Sequence, residues 1–120
     1  MIGIVDESQR ALLTVPVAAD KNAKPELVRV WIDTAFNGCL AIPRRQIERL
    51  RLKQASTTQA VLADGQVVDL ETFTAYLDWF GKVYRTQVVA NDGEFPLLGT
   101  MLLTRRKLMI DYTAKDVVLE

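Results

Sequence analysis

The sequence contains no histidine and a single cysteine, Cys39, in 120 residues. The absence of histidine excludes a Ser-His-Asp or Cys-His site within this chain, and also a zinc site with imidazole ligands. One cysteine cannot form a disulfide within the chain or a cysteine cluster for zinc, which favours a reducing compartment. Any catalysis therefore has to use carboxylates, Lys, Tyr, Ser or Thr, or a metal held by oxygen ligands.

The chain also lacks an excess of either charge, because Lys and Arg total 15 and Asp and Glu total 15. Nucleic acids and acidic membranes attract clustered positive charge, so we expect neither as a partner. The longest apolar runs, such as residues 11–19, are far shorter than the ~20 residues that span a bilayer. Residues 1–7 show no basic segment before an apolar one, which a signal peptide would have. We therefore expect a cytoplasmic protein.

The composition is that of one globular domain. Apolar residues make up 49% and charged residues 25% of the chain, and a chain of this length buries roughly two thirds of its surface. Short apolar runs alternate with turn residues, which is typical of β-strands. Pro43 precedes a short helical pattern at residues 44–50, and a second follows at 100–104. We predict a single all-β domain over residues 1–120, a barrel or sandwich with one or two short helices.

Asp33 is the residue that most needs an explanation, because it lies between two apolar segments at 27–32 and 39–42. Aspartate is depleted in strands and costly to bury. One interpretation is a structural turn aspartate that accepts hydrogen bonds from the backbone amides of Thr34 or Ala35. The other interpretation is a catalytic carboxylate, and the surrounding sequence bears on that choice.

The segment around Asp33 reads Trp-Ile-Asp-Thr-Ala-Phe-Asn-Gly-Cys-Leu-Ala-Ile-Pro over residues 31–43. It resembles the active-site loop of retropepsin-like aspartic proteases, in the branch with the motif Asp-Thr-Gly-Phe. Residues 62–65, Leu-Ala-Asp-Gly, stand where that family has its flap hairpin. Residues 96–103 stand where the family has an apolar-apolar-Gly segment that crosses behind the catalytic loop. The three segments occur in the family's order and cover most of the chain between residues 31 and 112.

This resemblance implies an acid-protease closed barrel that acts as a symmetric homodimer on an extended peptide, with no metal and no cofactor. Asp33 of each chain would be the catalytic carboxylate, and Thr34 and Ala35 would shape its loop. The residue chemistry agrees, because peptide hydrolysis without histidine or metal needs two carboxylates that hold a water. One chain supplies one such loop, so an active site requires two chains. The apolar terminal runs, 2–5 and 117–119, would contribute strands to the dimer interface.

The Asp64-Gly65 dipeptide is the strongest hairpin signal of the sequence, because apolar residues flank it on both sides. Taken alone, it predicts a plain type I′ turn. The resemblance implies that Ala63, Asp64 and Gly65 form the tip of a flap, which closes over a bound peptide and supplies backbone hydrogen bonds.

Ala35 departs from the resemblance, because the family has glycine at this position. Its methyl group occupies space that a substrate or the partner loop would approach. We predict that Ala35 has a negative φ, which alanine adopts without strain. The sequence therefore predicts an aspartic endopeptidase, with two alternatives. One is a catalytically silent dimer of the same fold that acts as a binding or scaffold module, and the other is an unrelated β-barrel in which Asp33 caps a turn.

Overall fold

The computed structural model describes residues 1–120, except for the side chains of Thr58 and Ala60. The described chain is mostly β, as the sequence predicts. Its strands are β1 (Ile2–Val5), β2 (Ala11–Ala18), β3 (Glu26–Ile32), β4 (Leu40–Pro43), β5 (Lys53–Val61), β6 (Val67–Trp79), β7 (Lys82–Asn91), β8 (Leu97–Leu98), β9 (Leu108–Asp111) and β10 (Asp116–Leu119). The helices are α1 (Arg44–Leu50) and a 3-10 helix (Thr100–Leu103). Within the described residues, no helix has the length and apolar character that a membrane crossing needs.

The strands form one hydrogen-bonded sheet in the order β5-β6-β7-β4-β8-β3-β2-β1-β10-β9. A further antiparallel pairing joins β2 to β6, where Val17 lies opposite Leu77. The sheet therefore folds back on itself between these two strands. Strand β5 lies beyond this connection at one end of the order, and β1, β10 and β9 lie beyond it at the other.

The core lies inside this folded sheet because the strands alternate between buried and exposed side chains. On β3, Val28, Val30 and Ile32 are buried. Trp31, between two of these residues, is 39% exposed on the opposite face. Continuing the alternation by two residues places Asp33 on the same side as Trp31. The candidate site therefore lies at the end of a strand whose other face anchors it in the core.

The hairpin at residues 62–66 corrects the predicted turn type. The Leu62 N–H donates to the Gln66 carbonyl at 2.8 Å, and the Gly65 N–H donates to the Leu62 carbonyl at 2.9 Å. Gly65 has a φ of 86°, but neither Ala63 nor Asp64 has a positive φ. This geometry is a three-residue loop, in which a type I turn is followed by a left-handed glycine. The type I′ turn predicted for Asp64-Gly65 is therefore wrong, although the hairpin is in the predicted place.

The type I′ geometry occurs instead between β6 and β7. Phe80 and Gly81 have φ values of 53° and 84°, which is the pattern of a two-residue type I′ turn. A positive φ is costly for a bulky residue, so other contacts have to hold Phe80 there. The Arg106 guanidinium lies 3.6 Å from the centre of the Phe80 ring, and Trp79 packs edge-on against it at 5.1 Å. The turn is thereby fastened to the chain that follows the 3-10 helix.

Both termini lie in the sheet of their own chain. Gly3 of β1 pairs with Val117 of β10, and the terminal ammonium of Met1 donates to the Leu119 carbonyl at 2.8 Å. The outer face of these strands is apolar, since Ile2 is 79% exposed and Met109 53%. The use of the terminal strands in a dimer interface stays a prediction, and the apolar face provides a surface for it.

Candidate active site

Asp33 is the first residue after β3, at the start of the loop that leads to β4. Its N–H donates to the Leu98 carbonyl at 2.9 Å, and its carbonyl accepts a hydrogen bond from the Phe36 N–H at 3.2 Å. One carboxylate oxygen, Oδ1, accepts a hydrogen bond from the Ala35 N–H at 2.9 Å. The turn contact expected of a structural aspartate is therefore present. The same contact orients the carboxylate, which a general base also requires.

The residues beside Asp33 face outwards. Asp33 is partly exposed, whereas Thr34 and Ala35 are exposed. Ala35 is not among the residues with a positive φ, which confirms the prediction that alanine fits this backbone without strain. The exposed loop leaves these three residues accessible to a substrate or to a second chain.

A second segment crosses behind the loop and fixes it in place. Strand β8 pairs in parallel with β3 and antiparallel with β4, so it lies between the two strands that flank the loop. The three residues after β8 donate their N–H groups to loop carbonyls: Gly99 to Cys39 at 2.8 Å, Thr100 to Phe36 at 2.8 Å and Met101 to Gly38 at 3.2 Å. The crossing that the resemblance implies for residues 96–103 is therefore observed.

This crossing requires glycine at position 99 for reasons of space. A Cβ atom there would overlap the carbonyl oxygen of Gly38 and would lie 2.7 Å from the carbonyl oxygen of Phe36. The φ of Gly99 is −99°, so any residue could adopt its backbone conformation. The close approach of the two backbone segments therefore decides the residue type.

A cluster of charged and aromatic side chains lies beside the loop, and the sequence analysis did not identify it. The Arg10 guanidinium lies 4.3 Å from the centre of the Phe95 ring and 5.9 Å from that of Trp31. The two rings contact each other edge-to-face, with centroids 6.3 Å apart. Trp31 lies on the exposed face of β3, two positions before Asp33. The cluster therefore offers an aromatic wall with a cation against it on the strand that leads to the loop.

Asp6 holds Arg10 in this position. Its Oδ2 atom accepts a hydrogen bond from Arg10 Nε at 2.8 Å, and its Oδ1 atom accepts from the backbone N–H groups of Arg10 and Ser8 at 2.9 and 3.0 Å. The hydrogen bond from the Arg10 backbone is the largest of the effects that lower the pKa of the Asp6 carboxyl. The four-residue spacing of Asp6 and Arg10 is the one feature of this cluster that is visible in the sequence.

The candidate flap residues lie at the tip of the hairpin that β5 and β6 form. Ala63, Asp64 and Gly65 are all exposed, and Val61 and Val67 on either side of them are 72% and 60% exposed. Among the described residues, no hydrogen bond joins this tip to the Asp33 loop. Hydrogen bonds therefore do not hold the flap tip to the Asp33 loop, and the exposed apolar residues of the tip are available for a ligand or a partner.

Other reactive groups near the loop are not suited to catalysis. Cys39 is partly buried, and burial raises the pKa of its thiol. The thiol is therefore mostly protonated at neutral pH and is a weak nucleophile. Among the described residues, no three His, Cys, Asp or Glu side chains come together as metal ligands. The Asp33 carboxylate remains the candidate with the best-defined position.

Comparison with solved structures shows the fold of retropepsin-like aspartic proteases. A retropepsin-like aspartic protease from Rickettsia conorii matches with a TM-score of 0.65 and 18% identity, over 99% of this chain and 88% of that chain. EIAV protease, in complex with the inhibitor HBY-793, matches with a TM-score of 0.56 and 19% identity, over 83% and 90%. The retroviral protease-like domain of Ddi1 from Leishmania major matches with a TM-score of 0.51 and 16% identity, over 91% and 88%.

No protein-family model and no curated protein sequence matches the chain. The three solved structures are 18%, 19% and 16% identical in sequence to this chain. It therefore establishes the fold, and any activity has to be argued from the site itself.

Proposed function

We propose that residues 1–120 form one retropepsin-like domain, a closed barrel, which hydrolyses peptide bonds as a symmetric homodimer. Each active site would hold a water between the Asp33 carboxylates of two chains. The observation that carries this proposal is the position of Asp33. It follows β3 and is fastened to β8 by its N–H, which donates to Leu98 at 2.9 Å, in a chain with the retropepsin-like fold.

The chemistry of the proposed reaction requires both carboxylates. Two carboxyl groups about 3 Å apart do not both ionise, so the pair shares one proton. The ionised Asp33 takes a proton from the water as the water oxygen attacks the carbonyl carbon of the peptide bond. The protonated Asp33 of the partner donates its proton to the carbonyl oxygen. The newly protonated Asp33 then donates its proton to the amide nitrogen, while the ionised Asp33 of the partner takes a proton from one hydroxyl of the diol. The carbon–nitrogen bond breaks, a carboxylic acid and an amine leave as two peptides, and the pair again shares one proton.

The two chains would meet through the exposed part of the loop. Thr34 and Ala35 are exposed in one chain, and a two-fold axis beside them would bury both. The Thr34 hydroxyl would donate a hydrogen bond across the axis and so hold the two loops together. The crossing of β8 and Gly99 behind each loop would then keep the carboxylates in register.

The substrate would be an extended peptide that lies between the loop and the flap. The backbone of Ala63, Asp64 and Gly65 would supply hydrogen bonds from above. Trp31 and Phe95 would contact an apolar substrate side chain. The exposure of Trp31, 39%, and of the flap residue Val61, 72%, supports a site that favours apolar side chains.

One observation favours a second candidate function, a catalytically silent dimer of this fold that binds a protein partner. Ala35 stands where the resembling family has glycine, and its methyl group is on the exposed side of the loop. The methyl group would meet a bound peptide or the partner loop. If it keeps the peptide bond away from the carboxylates, binding would remain and hydrolysis would not.

A peptidase assay with two aspartate variants separates these functions. A mixed peptide library is incubated with the wild-type protein, Asp33→Asn and Asp78→Asn, and cleavage is read by mass spectrometry between about pH 3 and pH 8. Asp78 is an exposed carboxylate on β6 and serves as the control. We expect Asp33→Asn to lower the rate by about 100- to 10,000-fold and Asp78→Asn to leave it unchanged.

Two other outcomes would contradict the proposed mechanism. Equal activity of the wild-type protein and Asp33→Asn would show that this carboxylate does not act in the reaction. If the wild-type protein and both variants were folded dimers and none cleaved any peptide, the binding module would be the correct interpretation.

A further inference from the structure

Helix α1 and the loop between β7 and β8 enclose a groove outside the candidate active site. We call it the helix–loop groove. Its walls are joined where Pro43, before α1, pairs with Asn91 at the end of β7. Its volume of about 700 Å³ lies within the range of sites for small ligands.

The two walls of the helix–loop groove carry opposite charges. Arg45 and Arg49 line it from α1, and Asp92 and Glu94 line it from the loop. The ion pairs of the described residues are Arg10–Asp6 and Arg44–Glu71, so these four side chains do not close the groove by pairing with one another. Opposite charges that face a shared space without contact provide a site for a ligand that carries both charges.

Two buried amide oxygens also belong to this groove. Gln46 Oε1 and Asn91 Oδ1 accept no hydrogen bond within the described residues, although buried acceptors normally have a donor. The Asn91 amide nitrogen donates to the Phe95 carbonyl at 3.4 Å, which assigns the orientation of this amide. Both side chains end in soft torsions. A rotation of each amide would turn its oxygen towards a donor in the groove, which for Asn91 means giving up the long hydrogen bond to Phe95.

We propose that the helix–loop groove binds a short peptide with free termini. Its carboxylate would contact the guanidinium groups of Arg45 and Arg49. Its ammonium group would contact Asp92 and Glu94, and its N–H groups would donate to the two amide oxygens. A ligand with one charge, or with blocked ends, would satisfy only part of this arrangement. The proposal does not depend on Asp33 or on catalysis, although peptides of this class are also what peptide-bond hydrolysis releases.

A titration followed by residue-resolved NMR tests the proposal on the unmodified protein. The probes are trialanine and trialanine with an acetylated N-terminus and an amidated C-terminus. We expect trialanine to shift the side-chain amide signals of Gln46 and Asn91 and the backbone amide of Gly93, with saturation at a dissociation constant of about 1 mM. The blocked peptide should bind at least about tenfold more weakly than trialanine. Equal shifts from both peptides, or no saturable shift at these signals, would overturn the proposal.

Two double variants locate the binding charges. Arg45→Gln with Arg49→Gln removes two of the three cations of the groove and leaves Arg44, which is paired with Glu71. Lys53→Gln with Arg85→Gln removes the same charge from exposed positions elsewhere. We expect about tenfold weaker binding of trialanine in the first pair and unchanged binding in the second. Unchanged binding in the first pair would contradict the assignment. If the protein has no peptidase activity but still binds trialanine in this groove, the binding site is supported and the proposed function is refuted. Failure of one proposal can therefore be told apart from failure of the other.

Discussion

Replacement of Gly99 by alanine tests the crossing that holds the candidate catalytic loop. A Cβ atom at this position would lie 2.7 Å from the Phe36 carbonyl oxygen and would overlap that of Gly38. Ordinary contact begins near 3.4 Å, so the backbone has to move by about 1 Å. Both oxygens are hydrogen-bond acceptors, for Thr100 at 2.8 Å and for Met101 at 3.2 Å. The substitution therefore overpacks the crossing and weakens two backbone hydrogen bonds at once.

The expected cost follows from these two effects. Overpacking costs about 1–3 kcal/mol, and two weakened hydrogen bonds cost about 1 kcal/mol each. We expect the free energy of unfolding to fall by about 3–5 kcal/mol, out of a total of about 5–15 kcal/mol. The melting temperature of a domain of this size should then fall by roughly 10–20 °C. If the protein is a peptidase, a loop shift near 1 Å should lower its rate by about 100-fold.

Urea and thermal unfolding at one protein concentration measure this change, with Gly93→Ala as the matched control. A Cβ atom at Gly93 would lie 3.3 Å from Asn91 Oδ1, which belongs to a side chain that can move. The control should change stability by no more than about 0.5 kcal/mol. Equal stability of Gly99→Ala and Gly93→Ala would show that the two segments are not as closely packed as described, and the argument for a rigid Asp33 loop would fail.

Three further predictions concern the loop, the Asp6–Arg10 contact and the dimer. Ala35→Gly should raise the peptidase rate, because it removes an exposed methyl group from the loop, and should lower stability by about 0.5–1 kcal/mol; a lower rate would contradict the proposed steric role of the methyl group. Asp6→Asn should destabilise the protein at neutral pH, because folding lowers the pKa of the Asp6 carboxyl. The ionised carboxylate therefore stabilises the folded state at pH values above the pKa of Asp6 in the unfolded chain. Urea unfolding at several pH values should show that the difference in unfolding free energy between the wild-type protein and Asp6→Asn shrinks as the pH falls below about 4. A difference independent of pH would show that the charge of Asp6 is not its cause. Sedimentation should show a dimer at tens of micromolar, and a stable monomer there would count against both the interface and the catalytic proposal.

Much of the β-structure could be predicted because local signals agree with the final packing. The strand at Ile2–Val5 and the helix at Arg44–Leu50 have the bounds that the sequence predicts. Each is a continuous periodic run ended by turn residues or Pro. Strand β8, at Leu97–Leu98, was not predicted, because a strand of two residues has no periodicity and exists only through its pairing with β3 and β4.

Turn types were less predictable than turn positions. The Asp-Gly signal predicted the hairpin at residues 62–66 correctly, but the pairing of Leu62 with Gln66 leaves three residues in the loop and selects a different turn. Phe80 lies in the true type I′ turn, and local preference argues against an aromatic residue there. Its contact with Arg106 comes from a distant part of the chain, so only the tertiary structure explains it.

The candidate site could be predicted only where a local sequence signal marks it. Asp33 was visible because it begins a short turn segment between two apolar stretches. The association of Arg10, Trp31 and Phe95 was not visible, because these residues lie far apart in the chain and meet only where β8 joins β3. The same holds for the helix–loop groove, whose walls meet through the pairing of β4 with β7.

The central claim is that the Asp33 carboxylates of two chains meet on a two-fold axis. A crystal structure of the homodimer measures this directly, as the distance between the two carboxyl groups. We predict that their nearest oxygens lie about 3 Å apart, close enough to share a proton, with the two Thr34 residues in contact across the axis. A dimer in which the carboxyl groups are separated by more than about 6 Å would contradict the claim, because they could then not act on one water.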